Sequence, residues 1–222
     1  MMHLELNQAG GKPLHVLCLG AHSDDIEIGC GGTILRFAEA FPDLHVTWVV
    51  FSASADRAAE ARRAASLFLK DVANATVVVH GFRDGYLPYD PGVKDAFEDL
   101  KRSVSPDIVF TQYGQDLHQD HRLLSQLTWN TFRSHLVLEY EIPKYDGGLG
   151  SPNVFVALSE GVRRQKLEYL SEAFATQRDK RWFSDDTFSG LMRLRGIESG
   201  DPEGYAEAFY ARKLLLTTGD RG

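Results

Sequence analysis

The amino-acid sequence predicts an α/β chain with a Rossmann-like, three-layer fold and a mostly parallel sheet, organised as one domain over residues 1–222. Three observations carry that expectation. Short apolar runs rich in β-branched residues alternate with longer segments of helical period, the pattern of βα units. The chain has 222 residues, 43% of them hydrophobic and 25% charged, enough to bury a substantial core. No repeat, low-complexity tract or Pro/Ser-rich linker divides one half from the other.

Taken in order, residues 14–19, 45–51, 76–80 and 107–111 read as four strands, each followed by a helix. Residues 56–70 are dense in Ala, Arg and Glu, strong helix formers, and residues 91–103 carry Val93, Phe97 and Leu100 on one face. Residues 122–134 read as a further helix, 136–142 and 154–158 as strands, and 162–174 as a late helix. The glycine-rich stretch 143–152 is a long loop. Residues 206–216 alternate loosely and suggest an edge strand.

A formal charge of −7 and a pI near 5.6, with basic residues scattered among acids, exclude nucleic-acid or anionic-membrane binding as the main activity. The first residues lack a basic start and apolar run, and no apolar stretch approaches membrane-spanning length, so a soluble, cytoplasmic protein is expected. Cys18 and Cys30 form no Cys-x-x-Cys pair and read as two reduced thiols.

In open α/β sheets ligands bind beyond the carboxyl ends of the strands. Two segments there are rich in chemistry. After the first strand stands Gly20-Ala-His22-Ser-Asp24-Asp25-Ile-Glu-Ile-Gly29-Cys-Gly31-Gly32, and after the fourth Tyr113-Gly-Gln-Asp116-Leu-His118-Gln-Asp120-His121. Adjacent carboxylates raise one another's pKa unless a cation sits beside them. A catalytic zinc takes three protein ligands and keeps a position for water, which selects one His and one carboxylate from the first segment and one His from the second. An aspartate and a histidine remain for proton transfer. Asp at a helix start is also a routine cap, so the first segment alone says little; the pairing of the two segments is what favours function. His3, His15, His45, His80 and His135 read as satisfied or solvated residues. Gly29-x-Gly31-Gly32 is not a dinucleotide fingerprint, because acids hold the turn where its first glycine belongs; these glycines are expected to let a helix pack close.

The chain resembles the PIG-L/LmbE-type zinc de-N-acetylases, whose motifs Ala-His-Pro-Asp-Asp-Glu and His-Pro-Asp-His stand here as Ala21-His22-Ser23-Asp24-Asp25-Ile26 and His118-Gln119-Asp120-His121. Arg57-x-x-Glu60, Phe82-Arg-Asp84-Gly85, Gln177 and Tyr205-Ala-Glu207-Ala-Phe209 extend the likeness over most of the chain. The resemblance implies that His22, Asp25 and His121 ligate Zn2+, with Fe2+ as another candidate ion, that Asp24 is the general base, and that His118 is a second catalytic group. A protonated His118, held by Asp120 or another acid, would steady the oxyanion or protonate the leaving amine. Arg57 would hold a polar part of the substrate or simply pair with Glu60. The implied substrate is a small N-acetylated molecule, an N-acetylglucosamine-type sugar or glycoconjugate, hydrolysed to acetate and an amine. Ser23 and Gln119 replace prolines, Ile26 replaces an acid, and Glu27 stands one place on.

Within the family, amide hydrolysis of a thiol-sugar conjugate is an alternative. Outside it stand a non-haem iron oxygenase, which a helix-alternating chain disfavours, and a non-catalytic Rossmann binding module. Residues 145–151 and 182–188 are expected to wall the pocket. Exposed aromatics at 86–89 or 182–183 would line the cleft or support a homo-oligomer.

Overall fold

A computed structural model of the chain describes residues 2–6 and 12–215. Among the described residues seven strands form one sheet: β1 His15–Gly20, β2 His45–Ser52, β3 Asn74–Phe82, β4 Ile108–Gln112, β5 Leu136–Tyr140, β6 Val154–Ala157 and β7 Ala206–Tyr210. The α-helices of the described residues are α1 Asp25–Ala40, α2 Ala55–Phe68, α3 Pro91–Ser103, α4 Gln119–Thr131, α5 Glu160–Ala173 and α6 Asp185–Ser199. No helix among the described residues is long and apolar enough to cross a membrane.

The sheet order is β3-β2-β1-β4-β5-β7-β6. The first five strands are mutually parallel, and β7 runs antiparallel to both β5 and β6. The expected strand near 206 is therefore present but internal, not at the edge. Helices α5 and α6 separate β6 from β7 in the chain, and β7 then enters between β5 and β6, antiparallel to both.

Alternation along the strands feeds two apolar layers. In β1, Val16 and Cys18 join one cluster while Leu17 and Leu19 join the other. The first cluster lies under α1, α2, α5 and α6 and contains Trp48, Phe68, Phe110, Tyr140 and Phe209; the second lies under α3 and α4 and contains Phe51, Phe97, Leu124 and Phe132. Cys18 and Cys30 are both free and buried in the first.

Helix α1 approaches the sheet closely because its inner face is glycine. A Cβ at Gly29 would lie 2.1 Å from Tyr140 Cδ2, and one at Gly32 would lie 2.7 Å from Leu158 Cδ1. The expectation that these glycines serve helix packing is met. Helix α6 was not legible from hydrophobic period, although Ser184 caps it by accepting the Thr187 N–H, two acids open it, and Gly200 closes it at φ 69.

Strand order reverses between β1 and β4. The chain leaves β1 toward β2 on one side and returns from β3 to β4 on the other, which opens a crevice where those two strands end.

Candidate active site

The turn Ala21–Asp24 follows β1 into α1, and the loop from Tyr113 to His118 follows β4 into α4. Because β1 and β4 are hydrogen-bonded neighbours, the two chemistry-rich segments meet. His22 Nδ1 lies 3.2 Å from His121 Nε2. Asp25 Oδ2 lies 3.5 Å from the first of these nitrogens and 3.6 Å from the second. Four-coordinate zinc with bonds of about 2.0–2.1 Å places its ligand atoms roughly 3.3–3.4 Å apart, so donor type and spacing both fit such an ion.

The atoms behind these donors fix their orientation. His121 Nδ1 donates to Asp116 Oδ2 at 3.0 Å, leaving Nε2 to face the other donors. His22 Nε2 lies 3.0 Å from Asp84 Oδ1 and 3.3 Å from Asp120 Oδ2. Asp25 Oδ2 accepts the His22 backbone N–H and Gln112 Nε2, each at 2.7 Å. Burial works to raise the Asp25 carboxyl, yet His121 and His22 hold it well below the usual carboxylate range.

Residues 17–132, more than half of the chain, match the family described as PIG-L: GlcNAc-PI de-N-acetylase. The chain belongs to that family. It is a deacetylase, an enzyme type shared with the name of a relative, the uncharacterized deacetylase YaiS of Escherichia coli, which is 27% identical over 181 residues covering 75% of this chain and 94% of YaiS. Two solved structures share the fold. N,N'-diacetylchitobiose deacetylase from Pyrococcus horikoshii aligns with a TM-score of 0.71 at 22% identity, covering 89% of this chain and 83% of its own. GalB, the 4-carboxy-2-hydroxymuconate hydratase of Pseudomonas putida, aligns with a TM-score of 0.74 at 18% identity over 93% and 99%. The same architecture thus carries more than one chemistry.

In this deacetylase Asp24 stands apart from the three donors. It is the N-cap of α1 but makes no side-chain cap bond; its Oδ2 instead meets Arg57 Nη2 at 2.9 Å. Burial raises its pKa, and the Arg57 charge works against that rise. Arg57 also pairs with Glu60 through Nη1 and lies over the Phe174 ring. Its guanidinium is therefore committed to two carboxylates, although it still lines the cleft.

His118 is the N-cap of α4 and lines the cleft, its ring centroid 4.9 Å from those of both His22 and His121. Of the expected link between His118 and Asp120, the contact is with the Asp120 backbone and not with its carboxylate. His118 Nδ1 accepts the Asp120 backbone N–H at 3.3 Å, which leaves Nε2 as the ring's donor. Burial, and then the neighbouring His121 and His22, lower its pKa. The Asp120 carboxylate turns the other way: Oδ2 accepts the Gly85 N–H at 2.8 Å and faces His22.

Two of the three departures from the family motifs, Ile26 and Gln119, have local reasons, whereas nothing in the structure explains Ser23. Ile26 is fully buried in the core under α1. Gln119 reaches the Gly85 carbonyl at 3.3 Å and so braces the turn that carries Asp84. Glu27 is buried away from the cleft, neither of its oxygens has a partner among the described residues, and burial raises its pKa well above the ordinary value.

The cleft has a volume of about 310 Å³ and is walled beyond the donors by Lys144, Tyr145, Asp146, Gln177, Lys180 and Trp182. Both expected wall segments contribute. Phe183, by contrast, is buried among Phe174, Trp182 and Phe188, whereas Tyr86 and Tyr89 are exposed. Sequence reading assigned no role to Gln112, Asp84, Asp116 or Lys144. Asp116 carried a signal in its place inside the second segment and Asp84 in the Phe82-Arg-Asp84-Gly85 landmark, whereas Gln112 and Lys144 carried none.

Proposed function

We propose that this deacetylase is a zinc-dependent hydrolase that removes the acetyl group from a small N-acetylated molecule of the N-acetylglucosamine type. The observation that carries this reading is the separation of roles in the cleft. Three donors converge at metal spacing, while Asp24, a further carboxylate in the cleft wall, is held by Arg57 instead.

His22, Asp25 and His121 would hold the ion. When bound, zinc supplies Lewis acidity and makes water a usable nucleophile near neutral pH. Asp24, aimed by Arg57, takes a proton from the attacking water as its oxygen bonds to the acetyl carbon. His118 Nε2 donates a hydrogen bond to the carbonyl oxygen as it gains negative charge. The C–N bond then breaks, the nitrogen leaves with the proton Asp24 collected, and acetate and a free amine result. The sugar-like substrate is supported by cleft size, by the Trp182 and Tyr145 side chains at its wall, and by the likeness to a chitobiose deacetylase.

Metal analysis of protein purified without chelator, combined with an acetate-release screen over N-acetyl sugars, tests the reading. About one zinc per wild-type chain is expected, with loss of the metal in His121→Ala. Asp24→Asn should keep the metal while kcat falls by at least about 100-fold. Full activity in Asp24→Asn would remove the base assignment. Bound zinc with no acetate from any N-acetyl sugar would remove the substrate class and leave the metal centre standing.

A further inference from the structure

One cation in the cleft wall is wired to the donor cluster without touching it. Lys144 is only 11% exposed at its side chain, and its Nζ donates to Asp116 Oδ2, the same oxygen that accepts the His121 Nδ1–H. Asp116 Oδ1 is engaged by the His118 backbone N–H at 2.8 Å. The other acceptor of Lys144 is the Ile142 carbonyl at 3.4 Å.

The loop that carries Lys144 is closed at its base. Glu141 accepts the Gly150 N–H at 3.0 Å, and Arg195 bonds both Glu141 and the Gly150 carbonyl. Between these ends Tyr145 and Asp146 line the cleft, and Gly147 and Gly148, at φ 72 and 91, turn the chain. Lys144 is the loop's connection to Asp116.

We propose that Lys144 is a positioning residue that couples the cleft-wall loop to His121 through Asp116 and restrains the carboxylate's pull on the ring. The proposal rests on the metal-dependent reading above. A carboxylate behind a ligating histidine raises the ligand's basicity. An ammonium on the same carboxylate oxygen draws off part of that effect and adds a positive charge near the cation position. Both weaken the hold on the ion. A less fully satisfied ion polarises a carbonyl more strongly, so Lys144 trades metal affinity for turnover.

Zinc titration of metal-free wild type, Lys144→Met and Lys144→Arg against a chromophoric chelator reads the effect directly, with thermal melts as the control for folding. The Met variant should bind zinc ~3- to 10-fold more tightly. Its kcat for acetate release should fall by a similar factor, with KM the smaller change, and the Arg variant should return both values toward wild type. Equal or weaker zinc binding by a Met variant that melts like wild type would overturn the proposal, since a mere structural pin loosens the site when removed. If the Met variant does not fold, Lys144→Gln, which keeps a donor to Asp116 without the charge, must show the same tightening or the idea fails. Absence of zinc binding by the wild type itself would instead overturn the metal reading, and this proposal with it.

Discussion

Arg57 holds Asp24, a cleft carboxylate outside the set of three donors, and Glu60 holds Arg57 from behind while also accepting the Thr176 N–H at 2.8 Å. Arg57→Gln is therefore expected to lower kcat by about 10-fold or more through a misplaced Asp24, with metal content unchanged. A KM-only effect would place Arg57 on the substrate instead. The two segments that hold the donors were legible in the sequence, each just past a strand, and the family resemblance singled out His22, Asp25 and His121 within them. Their supports were not. Gln112 reaches Asp25 only because β4 lies beside β1, Asp84 arrives on the turn after β3, and Lys144 comes back from a loop 23 residues beyond His121. Residue type and local spacing carry no trace of those meetings.

At the scale of elements, α1 sets how well the first segment is aimed, since Asp25 is its first residue. A methyl group at Gly29 must displace the Tyr140 ring, whose Oη donates to the Leu19 carbonyl near the end of β1. Gly29→Ala should cost about 1–3 kcal/mol in urea unfolding, while Gly190→Ala in α6, where a Cβ meets nothing within 4 Å, should stabilise by about 0.5–1 kcal/mol. Equal effects of the two substitutions would refute close packing at Gly29. The parallel strands and their helices were readable from period and composition. Helix α6 was hidden by its Gly190, Gly196 and weak apolar stripe, and its end signals, Ser184 and Gly200, outlast that weakness. The position of β7 was hidden for a different reason: alternation marks a strand but says nothing of its neighbours.

For the molecule as a whole, a buried ion pair joins three distant parts of the chain. Lys166 Nζ, on α5, meets Glu207 Oε1 of β7 at 2.6 Å and the Ile28 carbonyl of α1 at 2.6 Å, and Glu207 accepts the N–H groups of Gly32 and Thr33. Lys166→Met leaves the Glu207 charge without its cation and should destabilise the fold by about 3–5 kcal/mol in equilibrium unfolding, provided the substitution does not abolish expression. A loss below about 1 kcal/mol would mean the helix N–H groups satisfy Glu207 unaided.

The internal place of β7 also sets a timetable. During synthesis β6 emerges about fifty residues before β7, the strand it pairs with in the sheet. Until residues 206–210 leave the ribosome, β6 and the outer side of β5 both lack the strand they pair with. The half of the sheet that bears the donors can assemble early, whereas the other half must wait for the final strand, as an arch waits for its keystone.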